Sequence, residues 1–310
     1  MVSSMITVMV KVAELFLMIG VGAVCFRLGI LTRRGVSQLT TLLLYLVAPC
    51  LIVSSLAGEG GNIAPEELAL SLGLAVLAHV LSIGLSFLFF RREPLPRRQV
   101  LRFSLIYSNT GFMGMPLVQA VVGTEGVVYA SVFISVFNVF VWTHGYSLMS
   151  GGKSSGWKKV VLNPGVLALA IGLPLFFLGW DLPELLQVPI DSFAALNTPL
   201  AMVVIGCNIA RIPLKEMFSD RSVFLASGLR LLLFPVVFLG AAFFCGPAPA
   251  LLVSSVIQAA APSAANTVLF ATRFGGDDKL ASKMVAVSSL LSVATLPLVV
   301  SAAQAVSEAL

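Results

Sequence analysis

Charge is what this chain of 310 residues has least of: 11% of its residues are Asp, Glu, Lys or Arg, where a soluble domain carries about 25%. That shortage excludes a water-soluble enzyme. Cysteine is equally sparse, and Cys25, Cys50, Cys207 and Cys245 stand alone in apolar stretches without CxxC spacing. No disulfide framework or metal clip is written there, and the four read as small apolar fillers. Histidine occurs twice, and HExxH, GxSxG, DxD-type and Walker motifs are missing. The chain is therefore expected to be neither an enzyme nor an ATP-driven pump, and to hold no cofactor.

What is there is apolar. Hydrophobic residues make up 58% of the chain, and the mean hydropathy is +1.01. A membrane-spanning helix takes roughly 20 apolar residues, and ten such segments can be marked off: Met5–Phe26, Val36–Ala57, Glu66–Phe90, Val100–Val122, Val127–Ser150, Val160–Gly179, Ile190–Ala210, Ser222–Cys245, Pro249–Thr272 and Leu280–Ala303. They must be helices, because irregular backbone cannot face lipid and the runs are too long for barrel strands. The expected fold is thus an all-α polytopic protein of ten passes. Met1–Cys25 has no basic n-region and carries Lys11 and Glu14 in its apolar run, so it reads as a retained first helix.

The basic residues give orientation. Those following segments 1, 3, 5, 7 and 9 number 17 of the 19, and the intervening connections hold none, carrying instead Glu59, Glu66, Glu67, Glu125, Asp181 and Glu184. By the positive-inside rule both termini lie outside. In a membrane protein the net charge of +5 reports topology, so a lipid bilayer rather than nucleic acid is the expected surroundings.

Two dipeptide matches suggest an internal repeat. Ala48-Pro49 and Thr198-Pro199 are 150 residues apart, and Ala130-Ser131 and Ala281-Ser282 are 151 apart. Two halves, 1–150 and 151–310, with five helices each must enter the membrane in opposite senses, the inverted repeat of many secondary transporters. In such proteins the solute meets interrupted helices near the midplane. Segment 4 has its interruption in Ser108-Asn109-Thr110-Gly111-Phe112-Met113-Gly114-Met115-Pro116, and segment 9 in Gln258 through Thr267, which includes Pro262, Ser263 and Asn266. Two broken helices crossing at the membrane centre are expected. The 151-residue offset sets Thr267 opposite Pro116, and Pro116 is expected to set the break in segment 4.

The stretches Ser108–Pro116, Leu162–Gly172, Leu196–Asn208 and Pro262–Pro297 resemble the auxin efflux carrier family, in its bacterial form with a short central loop. The resemblance implies a ten-helix fold like that of the bile-acid sodium symporters and a carrier working as a homodimer in the cytoplasmic membrane. Segments 1, 2, 6 and 7 (5–57 and 160–210) would be a fixed scaffold. Segments 3–5 and 8–10 (66–150 and 222–303) would slide against it as an elevator. Pro49 and Pro199 would line the fixed wall beside the solute. Plant members have proline at both crossings; Pro116 matches and Thr267 departs, which implies a less sharply broken segment 9.

Asn109, Thr110, Gly111, Pro116, Ser263, Asn266 and Thr267 are the expected solute-binding residues. Half-helix N-termini and amide donors with no acidic residue among them suit a small carboxylate. A sodium-coupled symporter would have to build its ion site from Asn109, Thr110, Gln119, Gln258, Ser263, Asn266, Thr267 and backbone carbonyls, and a channel or sensor on the same fold is the further alternative. Intramembrane charge calls for a partner or a function. Glu14 can pair with Lys11 one turn away or couple protons. His79 and Arg230, 151 residues apart, can attract an anion or tie helices together, and His144 is expected at the interface.

Overall fold

The computed structural model describes residues 2–57, 63–154, 156–217 and 219–308, without the side chains of residues 2–8, 11, 157, 159 and 214. The Lys11, Lys159 and Glu59 side chains used in the charge and pairing arguments lie outside the described residues. The regular secondary structure of the described residues is entirely helical, with no β-strand among them.

Its helices are α1 (Val2–Arg27), α2 (Arg33–Leu56), α3 (Pro65–Ser86), α4 (Leu95–Ile106), α5 (110–121), α6 (Thr124–Ser150), the short α7 (Trp157–Val161), α8 (Pro164–Leu178), α9 (Glu184–Ala210), the short α10 (Leu214–Met217), α11 (Arg221–Phe243), α12 (Pro249–Ala260), α13 (Asn266–Phe274) and α14 (Asp278–Ser307). Among the described residues six of these, α2, α3, α6, α9, α11 and α14, are long and apolar enough to cross a membrane. Segments 4 and 9 do not qualify because each is split in two. Segment 6 is the 15-residue α8, about 22 Å long at 1.5 Å per residue.

The seventh segment begins six residues earlier than the sequence suggested, at Glu184. Pro189 reads as the end of a loop, yet it lies inside the helix, where the Asp191 carboxylate accepts from Ser54 Oγ and Gln187 Nε2. Those partners let a charge sit inside the helix.

Prolines shape the helices in a recurring way. The widened π-turns Leu43–Val47, Thr110–Gly114 and Leu229–Leu233 lead directly into Ala48-Pro49, Met115-Pro116 and Phe234-Pro235. A proline ring collides with the carbonyl four residues back and offers it no N–H, and a wider turn moves that carbonyl away.

Packing brings α1 lengthwise onto the 197–210 half of α9. Gly22 and Gly206 make this possible, since a Cβ at Gly206 would strike the Ile19 carbonyl and one at Gly22 the Val203 backbone. Cys207 Sγ donates to the Gly22 carbonyl at 3.2 Å. The 48–56 half of α2 packs on α8 and on the 184–195 half of α9, while α12 packs between α6 and α14.

At the basic helix ends Arg97 gathers three carboxylates. It pairs with Glu93 at 3.2 Å, Asp220 at 2.8 Å and Asp277 at 3.6 Å. Asp220 and Asp277 also cap α11 and α14, accepting from the amides of Ser222 and Leu280. One guanidinium therefore ties the starts of α4, α11 and α14 together. Burial opposes the Asp220 charge, but the Arg97 hydrogen bond and the Ser222 amide hold its pKa below the usual carboxylate value.

Candidate functional site at the crossing of two broken helices

Segment 4 is helical to Ile106 and resumes at Thr110; segment 9 is helical to Ala260 and resumes at Asn266. The two gaps cross. Ser108 and Ser263 form an isolated antiparallel bridge, in which the Asn109 amide donates to the Pro262 carbonyl at 2.6 Å and the Ala264 amide to the Tyr107 carbonyl at 2.9 Å. Backbone groups freed by each break thus satisfy those of the other, as buried amides and carbonyls must be.

Three expectations are corrected by this geometry. The break in segment 4 lies at 107–109, upstream of Pro116, which instead follows the widened turn of α5. The break in segment 9 is not softened by Thr267: it runs over 261–265 and contains Pro262, which has no N–H to continue a helix. Thr267 corresponds to Thr110 rather than to Pro116. The dipeptides Asn109-Thr110 and Asn266-Thr267 lie at the starts of the two second half-helices, one residue apart in register, since Thr110 is the first residue of α5 and Asn266 the first of α13. The 151-residue offset fails here: the half-helices before the breaks end 154 residues apart, at Ile106 and Ala260, and those after them begin 156 apart, at Thr110 and Asn266, the second break being two residues longer.

The polar groups at the crossing divide into committed and uncommitted. Ser263 is committed: its hydroxyl donates to the Ser104 carbonyl and its amide to Ser288 Oγ, both at 3.1 Å. The hydroxyls of Thr110 and Thr267 and both ends of the Gln258 carboxamide are buried without a hydrogen-bond partner. A buried polar atom left unpaired costs about 1–3 kcal/mol, so such a set at one crossing marks a place built for something polar. Asn109 is buried and Asn266 half-buried, and neither side chain makes a hydrogen bond among the described residues. Gly111 is partly exposed, and a Cβ there would meet open space; at Gly114 it would strike Gln258 Oε1.

The remaining expected residues are dispersed. Pro49 is half-buried and Pro199 exposed, and Glu14 lies on an exposed face of α1. His79 is buried, shares a 2.7 Å hydrogen bond with the Ala75 carbonyl and stacks on Phe140. Arg230 is fully buried, with its nitrogens spent on main-chain carbonyls of the crossing. His144 is half-buried, its Nδ1 lying 2.8 Å from the Tyr107 hydroxyl.

A cavity of about 400 Å³ lies beside the crossing. Its wall includes Ala265, the residue before α13, and the charged side chains Arg33, Arg211, Lys279 and Lys283, against which stand Glu216 and Asp278. Four cations to two carboxylates make it a place for anions. In the sequence these cations read only as topology markers. The signal that would have singled them out is their common position at the basic ends of segments 2, 7 and 10. No group of three or more metal-ligating side chains occurs among the described residues.

Comparison with known proteins agrees with a transport role. A family model described as "Membrane transport protein" matches residues 7–156 and 152–300. The chain is 27% identical over 295 residues to an "Uncharacterized transporter" of Methanothermobacter thermautotrophicus, covering 93% of this chain and 95% of that protein. It is also 27% identical over 296 residues to a "Putative malonate transporter" of Rhizobium meliloti, covering 87% and 89%. With the family model matched along nearly its whole length, this chain belongs to the membrane transport protein family of the auxin efflux carriers.

Proposed function

We propose that this chain is a secondary or facilitative carrier that moves a small organic anion, a carboxylate, across the cytoplasmic membrane by elevator-type alternating access. The observation that carries the reading is the basic cavity whose wall reaches Ala265 at the crossing. An anion drawn into it meets the N-terminal end of α13, where the aligned peptide dipoles favour negative charge. Asn109, Asn266 and the uncommitted Thr110, Thr267 and Gln258 groups are then available to hold it.

In this reading the chain makes ten passes in two inverted five-helix halves, with both termini outside, and the cavity is the inward-facing vestibule. Its cations come from both bodies of the elevator. Arg33 belongs to the fixed one (5–57 and 160–210) and Arg211 follows its last residue directly, while Lys279 and Lys283 belong to the moving one (66–150 and 222–303). Sliding one body past the other would dismantle the vestibule, which is how access would close. Two such chains would pair through their fixed bodies.

The printed name of the Rhizobium relative makes malonate the first solute to try. Purified protein in proteoliposomes loaded with unlabelled malonate should accumulate external labelled malonate transiently, since a carrier exchanges solute without net flow. Flux without counterflow would indicate a channel, and binding without flux a sensor. Arg211→Glu should raise the half-saturating concentration about tenfold, equivalent to about 1.4 kcal/mol, and added salt should narrow the difference.

A further inference from the structure

Arg230 sits in an otherwise apolar stretch, Leu229-Arg230-Leu231-Leu232-Leu233, on the widened turn of α11. An arginine cannot shed its charge, and burying one without compensation costs several kcal/mol. Arg230 is 0% exposed, and no carboxylate pairs with it among the described residues. Its compensation is entirely main-chain: Nε donates to the Ala261 carbonyl at 3.1 Å, Nη1 to Leu105 at 3.0 Å and Ile106 at 3.3 Å, and Nη2 to Ala259. The face of the guanidinium lies over the Phe234 ring, 4.9 Å from its centroid.

These four carbonyls share one property. Leu105 and Ile106 close α4, and Ala259 and Ala261 lie at the end of α12, so all four stand at helix C-termini that carry partial negative charge. Convergent carbonyls at two half-helix C-termini are what a transporter offers a small coupling cation. Here a side chain of the protein stands among them. His79, 151 residues earlier, does nothing comparable, since its Nδ1 bonds within its own helix.

We propose that Arg230 is a built-in cation: it occupies the carbonyl cage that a metal ion would fill in an ion-driven carrier, so this chain holds its crossing together and transports without sodium or any other co-transported metal cation. The clause on transport rests on the carrier reading. The clause on the cage does not, and it is tested without any solute.

The test is thermal unfolding of purified wild type, Arg230→Ala, Arg230→Gln and Arg230→Lys in choline chloride, sodium chloride and dilute guanidinium chloride. Wild type and the Lys variant should melt at the same temperature in choline and sodium. The Ala and Gln variants should melt lower in choline and recover several degrees in sodium or guanidinium, because the emptied cage takes up a free cation that choline is too large to replace. Folding of the Lys variant where both neutral variants fail to fold would equally support the charge requirement. A Gln variant as stable as wild type in choline, or neutral variants indifferent to the cation, would overturn the proposal. So would a Lys variant that fails alongside the neutral ones. In proteoliposomes, wild-type counterflow should be equal in choline and sodium, and a sodium requirement would overturn the transport clause alone.

Discussion

The amide of Asn109 donates to the carbonyl of Pro262, 153 residues away, at 2.6 Å. Asn109 thus holds the crossing through its main chain and leaves its carboxamide without a hydrogen bond among the described residues. Asn109→Ala should keep the crossing and change stability by no more than about 1 kcal/mol, while solute affinity falls at least tenfold, about 1.4 kcal/mol. Isothermal titration beside a melting curve separates the two effects; unchanged affinity would remove the carboxamide from the site.

Pro116 acts through the turn before it. In Pro116→Ala a restored N–H lets the turn Thr110–Gly114 tighten toward α geometry, which rotates Asn109 and Thr110 relative to the rest of α5 by up to one residue, about 100°. The variant should be folded, as stable as wild type or more so, and poor at transport. Full activity would show that the widened turn does not depend on the proline.

Gly206 lets two helices approach where no side chain fits. Gly206→Ala directs a methyl at the Ile19 carbonyl, which is backbone and cannot swing aside. Overpacking of this kind costs about 1–3 kcal/mol, so the melting temperature should fall. A substitution at Gly111, where a Cβ meets nothing within 4 Å, is the control that should leave stability unchanged.

The tie between α4, α11 and α14 is pH-sensitive. The Asp220 pKa is lower in the folded protein than in an unfolded chain, so its contribution is complete above the ordinary carboxylate pKa of about 4 and is lost as the pH falls through the folded value. Melting temperatures should therefore drop on acidification below about pH 4, and Asp220→Asn should show a smaller drop from a lower starting point. An Asn variant with the wild-type acid profile would show that the tie does not titrate.

Much of this architecture is legible in the sequence, because burying a helix in lipid demands long apolar runs and leaves charge only at their ends. The Gly, Pro and Asn clusters of segments 4 and 9 marked the broken helices for the same reason: backbone freed in a membrane needs special residues. The register of the breaks was not legible. Dipeptides in other helices give an offset of 151, whereas the half-helices on either side of the breaks stand 154 and 156 residues apart; the paired Asn-Thr dipeptides are the better guide. Nor could the sequence say what Arg230 does, since its partners are carbonyls that every residue possesses.

The crossing also bears on how the chain is made. Leu105 and Ile106 wait for Arg230, 125 and 124 residues downstream, and the Asn109 amide waits for Pro262. At ribosomal speeds of about 5–20 residues per second, the amide emerges roughly 8 to 30 seconds before its acceptor does. On the ten-pass reading proposed above, a gap in the fourth segment during that interval would carry polar groups that lipid cannot satisfy, at a cost of several kcal/mol each. A nascent chain in that condition would not be released pass by pass into the bilayer. It would be kept in a wet or protein-lined setting until the ninth segment arrives, so that on this reading the two halves complete insertion as a single event.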